Sequence, residues 1–562
     1  MKKIAYLFCV LAVFAFAQNP VYSDPVFATH NDSIIIYYDA TLGNQGLMDY
    51  SSTDVYVHTG VITENSSSDS DWKYVWMDWP GSGSNANTEK NKLTKVGDNL
   101  WKLVIGNPYE YYGCPTSEKI LKLAFVFRNS TASKEGKDVG NTDIYLSLFE
   151  SGVTTVWIEP TVRVDYGEPE RSPIFYSADA SEGLHIEAMA GGIGVEVESI
   201  KLLLNDVEVY QVSNDSISYD ISSGDLLNEF NYLTAVGISG TIQDTSDVMC
   251  VVKYSENTAT RPISLQDGIT IESSSSITLS IFAPYKEFVH VIGDFNDWKV
   301  DPAYQMKKDS LNADSTFFWL TLTDLPDSGL GFQYLVDGDI RIADPYSTLI
   351  LDPWNDSWIS PTVFPNLKAY PEGKTWYPVG VVNTNPPVFT WTDGSYVKPD
   401  TDDLVIYELL LRDWSYAHSY QSLIDSIHYF KYLGITAIEL MPIQEFEGNE
   451  SWGYNLMFFF APDKYYGTAQ KLKEFINLCH MNDIAVIMDV VYNHATGQSP
   501  MVRLYNEGVY GAPTAENPWY NTVAKHPFNV FYDMNHESSC TKYFLDRANR
   551  YWIKEFHIDG YR

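Results

Sequence analysis

A chain of 562 residues with 73 acidic against 37 basic side chains carries a formal net charge of −36, and that charge repels nucleic acid and other polyanions while leaving a neutral polymer free to bind. The five cysteines, Cys9, Cys114, Cys250, Cys479 and Cys540, are scattered; they have no metal-ligand spacing and make no disulfide framework. The length asks for several domains rather than one.

At the start, Lys2 and Lys3 precede the apolar run Ile4–Phe16, which closes on Ala15-Phe16-Ala17. That order is a signal peptide over residues 1–17 and predicts export to the periplasm, the cell surface or the medium. The run is short for a membrane anchor, and no later stretch is long and apolar enough to span a bilayer as a helix.

From Val26 to Glu159 short strands alternate with polar loops, most clearly at Ser33–Tyr38, Asp54–His58, Lys73–Met77, Trp101–Ile105 and Leu121–Arg128. The pattern predicts a β-sandwich over 26–159. A second β domain of immunoglobulin type is predicted over 160–262, with Asn205-Asp206 as a hairpin turn between Lys201–Leu204 and Val207–Tyr210. A third β module is predicted over 266–360, where Ile277, Leu279 and Ile281 alternate with polar residues and Asp337-Gly338 marks another hairpin. The prolines of 361–401 predict a stiff, extended connector.

After Asp402 the pattern becomes strand, helix, strand, helix. Leu404–Leu410, Thr436–Met441, Ile484–Val491 and His557–Arg562 read as strands. Leu423, Ile427 and Phe430 mark one helix face ending at Gly434; Leu472, Phe475, Ile476 and Cys479 mark a second; Phe544, Ala548, Tyr551 and Trp552 mark a third. Repeated βα units with apolar strands predict a parallel sheet buried on both faces. The Gly-rich turn of a dinucleotide binder is absent, and polar groups recur at several strand exits: Gln444 and Glu445, Asp489 to His494, and Arg562. Such a distribution suits a (β/α)8 barrel, whose site is assembled from many strand ends.

Asp403–Trp414, Met441–Phe446, Ser451-Trp452-Gly453-Tyr454-Asn455, Asp489–His494 and Asp559–Arg562, in that order, resemble the α-amylase family of glycoside hydrolases (family 13). The resemblance covers Ile269 to Arg562, and residues 266–360 are similar to the glycogen-binding-type module (carbohydrate-binding family 48) that precedes such barrels. The first domain is similar, more weakly, to starch-binding modules. The fold expected is therefore three β-sandwich modules followed by the first half of a (β/α)8 barrel, 402–562. The resemblance implies a retaining glycosidase acting on α-glucans such as starch or glycogen, with two carboxyl groups about 5 Å apart flanking the bond. The family's nucleophile, acid and third carboxylate fall beyond Arg562, so this polypeptide by itself is expected to show no starch hydrolysis. Debranching at α-1,6 bonds and non-catalytic glucan binding are the alternatives.

The resemblance also assigns supporting roles. Arg562 matches the arginine beside the nucleophile, Asp489 the aspartate that anchors it, His494 the histidine that hydrogen-bonds the sugar at the cleavage subsite, and Tyr454 the tyrosine that stacks beneath that sugar. Asn493 matches a calcium ligand that some branches of the family lack. In the β modules Tyr56, Trp72, Trp76 and Trp298 are candidate sugar platforms.

Overall fold

The structure, a computed structural model, describes residues 19–76, 79, 87–138, 142–160, 162, 168–228, 230–508 and 511–562. The predicted leader lies outside the described residues. The chain divides into two compact units, Met1–Ser255 and Glu256–Arg562. Among the described residues no helix is long and apolar enough to cross a membrane.

The first unit holds two pairs of sheets. In the first pair, Val21–Asp24, Ile34–Asp39, Leu100–Gly106 and Thr94–Gly97 form one antiparallel sheet. Lys73–Trp76, Val55–Thr63 and Ile120–Asn129 build the other, with Glu135–Gly136 and Ile144–Ser147 pairing on its edge. Alternation along Ile34–Asp39 sends Ile34, Ile36 and Tyr38 inward, and the Tyr38 ring stacks on Phe127 of the opposite sheet with centroids 4.0 Å apart.

In the second pair, Gly152–Glu159 lies beside Leu184–Ile193 and Ser216–Ile221, facing the sheet built on Phe230–Ser239. The strand Gly152–Glu159 therefore belongs with the second pair, not with the first domain as the 26–159 boundary had it; its backbone groups find their ladder partners in Leu184–Ile193. The Asn205-Asp206 turn has φ of 51° and 64°, the left-handed pair that a two-residue hairpin needs.

In the second unit, Gly268–Ser273, Ser276–Phe282, Ser315–Leu322 and Lys307–Asn312 form one sheet. Val289–Gly293, Gly329–Val336, Val379–Asn383 and Ile350–Leu351 form the facing one, with Ile340–Ile342 at its edge. The stretch assigned to a Pro-rich connector thus contributes a strand, Val379–Asn383. Its prolines flank that strand, and the valines between them are free to donate to the ladder. The module core runs without a break into Leu456, Phe459, Tyr505 and Phe544 of the following region.

That region is a parallel sheet of β1 (Ile406–Leu409), β2 (Ala437–Leu440), β3 (Ala485–Met488) and β4 (Gly560–Tyr561), in that order. Helices α1 (Tyr420–Asp425) and α2 (Ile427–Leu433) connect β1 to β2, α3 (Ala469–His480) precedes β3, and α4 (Ser539–Phe556) precedes β4. The first predicted helix is two pieces, because the Ser426 hydroxyl donates to the Ser422 carbonyl at 2.6 Å and breaks the helical ladder there. Gly434 ends α2 at φ 69°. Leu472, Phe475, Ile476 and Cys479 of α3 are fully buried, as their spacing predicts, each large side chain contributing about 1.5–3 kcal/mol. On β1 one face is open among the described residues: Ile406 is 48% exposed and Glu408 lies open beside Glu439, its register partner on β2, while all four residues of β2 are buried.

Candidate functional site

The site lies just past the C-terminal ends of β2, β3 and β4, where the ladder continues for one residue. The Asp489 amide donates to the Leu440 carbonyl at 2.9 Å, and the Arg562 amide to the Met488 carbonyl at 3.1 Å. Those bonds set the two side chains next to each other at the sheet's edge. Asp489 is buried, and its Oδ2 accepts from Arg562 Nη1 at 2.6 Å. The same oxygen accepts from the Tyr454 hydroxyl, also at 2.6 Å.

Tyr454 comes in on the loop after β2. Gly453, at φ 88°, makes the turn that delivers it; a Cβ there would stand 2.5 Å from the Pro442 carbonyl oxygen, so only glycine fits. His494 Nε2 faces the Tyr454 carbonyl at 2.7 Å. Donation to that oxygen fixes the Nε2–H tautomer and leaves Nδ1 as an acceptor, with no protein partner among the described residues. Burial lowers the pKa of His494, the Tyr454 carbonyl opposing it, which favours the neutral ring. For Tyr454, burial first and then the Asp489 charge raise the pKa and keep the phenol protonated. Hydrogen bonds to Tyr454 and Asp489 raise that of Arg562.

The structure thus brings Tyr454, Asp489, His494 and Arg562 into one cluster. It adds Glu439, which the sequence reading passed over: its Oε1 stands 3.4 Å from Arg562 Nε. Burial raises the pKa of Glu439 and the Arg562 charge opposes that. Its signal was a lone carboxylate inside the apolar strand Ala437-Ile438-Glu439-Leu440. The arrangement gathers a hydroxyl-bearing ring, a buried neutral imidazole behind it and a guanidinium between two carboxylates. Such a set can hydrogen-bond a neutral polyol from several directions.

Asp559, in the same motif as Arg562, serves elsewhere. Its Oδ2 meets His480 Nε2 at 3.0 Å, and His480 Nδ1 meets Asp393 Oδ2 at 2.9 Å. The Tyr396 ring stacks on His480 at 4.1 Å. This buried network ties the segment before β1 to α3 and β4 at the sheet's opposite end, where a βα fold keeps stabilising residues.

Asn493 is exposed, and among the described residues no group of three or more His, Cys, Asp or Glu side chains stands where it would hold a metal. The sugar platforms fare differently again. Trp298 is 1% exposed, with Nε1 donating to Asp294 at 3.1 Å; it is core, because the turn after Val289–Gly293 folds it inward, and it offers a ligand no face. Trp76 has Lys90 Nζ 3.5 Å over its ring, Trp72 stacks on His58 at 5.7 Å, and Arg128 lies 5.8 Å over Tyr56. Each is half-buried, with ring surface taken by a neighbour.

Residues 413–530 match the α-amylase catalytic domain. A malto-oligosyltrehalose trehalohydrolase of Saccharolobus solfataricus is 31% identical over 289 residues, 51% of this chain and 43% of that protein. A 1,4-α-glucan branching enzyme of Clostridium perfringens is 26% identical over 311 residues, 52% of this chain and 42% of that one. The chain therefore spans less than half the length of these curated relatives. A pullulanase from Paenibacillus barengoltzii superposes with a TM-score of 0.40 at 20% identity, over 53% of this chain and 47% of that one. The catalytic-domain match falls on β2, β3 and the loops that follow them, so this region of the chain is similar to the catalytic domain of the α-amylase family of glycoside hydrolases.

Proposed function

We propose that this chain, after export, binds α-glucans of the starch and glycogen type as the supporting part of a retaining α-amylase-type site. The convergence of Tyr454, Asp489, His494 and Arg562 at the strand ends carries this reading. In it, a glucose unit stacks over Tyr454 and hydrogen-bonds His494. Arg562, oriented by Asp489 and Glu439, supplies the positive charge that keeps a neighbouring carboxyl group ionised. The charge of −36 suits a neutral polymer, and Lys2, Lys3 and Ile4–Phe16 support export. The second reading is transfer rather than hydrolysis, favoured by the similarity to branching enzymes.

Calorimetric titration with maltoheptaose tests the substrate class, with cellohexaose as the β-linked control. Binding of the first alone is expected, weakened about tenfold or more by Tyr454→Ala. Equal binding of both, or of neither, overturns the reading.

A further inference from the structure

Between the strand Val379–Asn383 and β1, residues 388–398 form no helix or strand and are held at the end of the sheet opposite the Tyr454 cluster. Their grip is in side chains. The Thr392 amide donates to Asn477 Oδ1 of α3 at 2.8 Å, and the Trp391 ring stacks on His557 with centroids 3.8 Å apart. The Tyr396 ring stacks on His480, and its hydroxyl donates to Asp559 Oδ1 at 3.1 Å. Lys398 Nζ donates to the Asp559 carbonyl. Asp393 Oδ2 receives two imidazoles, His480 Nδ1 at 2.9 Å and His557 Nδ1 at 2.8 Å.

His480 is buried with a carboxylate on each ring nitrogen, Asp393 at Nδ1 and Asp559 at Nε2. Ionised carboxylates only accept, and a neutral imidazole carries one N–H. Both contacts are hydrogen bonds only while the ring is imidazolium; without that proton, a nitrogen lone pair faces a carboxylate oxygen. Burial opposes the charge on His480, but Asp559 and Asp393 outweigh it and shift its pKa upward. At Asp393 burial is likewise outweighed, by hydrogen bonds from His557 and His480, and the pKa falls. The other ionisable groups around the ring are Tyr396, whose pKa is raised by burial and then by Asp559, Lys398, and Cys479 and Asp483 beside Tyr396.

Asp559 also reaches β3. Its Oδ2 accepts from the Val486 amide at 2.8 Å, and its own amide donates to the Val486 carbonyl at 2.8 Å. The β3–β4 ladder beyond it has two residue pairs, Ile487 with Gly560 and Met488 with Tyr561. Asp559 therefore clamps the register that sets Asp489 beside Arg562.

We infer that residues 388–398 are a proton-operated strap: with His480 charged it is locked onto α3 and β4 and holds the β3–β4 register, and when His480 loses its proton the strap opens and the register loosens. The inference stands apart from the α-glucan reading. The closed strap binds the proton more tightly than the open one, so closure is complete below about pH 6.5 and is lost as pH rises through the folded value.

Hydrogen–deuterium exchange of the full chain at pH 6 and pH 9 tests this, read by mass spectrometry on peptides covering 388–398 and 484–491 and corrected for the intrinsic rate at each pH. Wild type is expected to be protected at pH 6 and to exchange about tenfold faster or more in both peptides at pH 9. His480→Gln, neutral at every pH, and Asp393→Asn, which removes the charge on the strap, are expected to exchange fast already at pH 6 and to change little at pH 9. Asp393 lies on the strap itself, so its variant keeps the test open where His480→Gln lowers the global melt. Equal protection of wild type at both pH values overturns the strap, as does an Asp393→Asn variant with the wild-type pH response. A response in 388–398 alone overturns the coupling to the β3–β4 register.

Discussion

Lys464→Met probes the ion cluster that Lys464 forms with Glu445 and Asp356. The Lys464 side chain is 3% exposed, Glu445 3% and Asp356 10%. Burial opposes the ammonium's charge, but Glu445 and Asp356 outweigh it and raise the lysine's pKa, so the cation is permanent. Methionine fills the space and removes the charge, leaving carboxylates buried without a counter-ion; breaking such a group costs about 3–5 kcal/mol. The cost is pH-dependent. Burial already holds the Glu445 carboxyl well above the usual range, Lys464 opposing, and pushes Asp463 up to about 7. Without the lysine these groups rise further and take up protons in the folded state that the unfolded chain does not bind between about pH 4.5 and the folded values. A raised carboxylate loses stability as pH rises through that window, so acid relieves the variant. Guanidinium denaturation followed by tryptophan fluorescence is expected to show the full deficit at pH 8 and a smaller one at pH 5. A deficit below about 1 kcal/mol at pH 8, as for an exposed pair, refutes the reasoning, and so does one equal at both pH values.

Other perturbations give separate outcomes. His480→Leu breaks the Asp393–His480–Asp559 network; burial lowers this histidine's pKa, but Asp559 and Asp393 outweigh it and the net shift is upward. The contribution is fully present below pH 6.5 and fades as pH rises through the folded value, so the variant's melting deficit is expected to be larger at pH 6 than at pH 9. Gly453→Ala places a Cβ against the Pro442 carbonyl in a left-handed turn, a strain of about 1–3 kcal/mol. Maltoheptaose titration is expected to show lost affinity with secondary structure intact by circular dichroism. Trp552→Ala empties a fully buried site whose Nε1 donates to the Phe459 carbonyl at 2.8 Å; a loss of about 3–5 kcal/mol is expected by denaturation.

Much of the architecture was legible because periodicity reports burial directly. The Leu472, Phe475, Ile476 and Cys479 stripe and the Asn205-Asp206 and Asp337-Gly338 turns sit in the structure where they were read. The strand Val379–Asn383 was hidden by its flanking prolines, and Gly152–Glu159 was given to the wrong neighbour because pairing partners distant in sequence leave no local trace. In the site, Asp489, His494 and Arg562 were legible as strand-end polar residues, and Tyr454 through the family resemblance of its motif. Glu439 was not, since a single acid within a strand looks like any solvent-facing residue until Arg562 is seen against it. Trp298 misled because aromatic identity says nothing of which way a turn folds the ring. Asp559 shares a motif with Arg562 yet points to the other end of the sheet, three residues being enough to carry the chain along β4.

The most direct test of the central claim is a crystal structure of the chain soaked with maltotriose. A glucose ring is expected over the face of Tyr454, with a hydroxyl within hydrogen-bond distance of Arg562, the exposed member of the cluster. Sugar bound only elsewhere, with the strand-end cluster of Tyr454, Asp489 and Arg562 untouched, contradicts it.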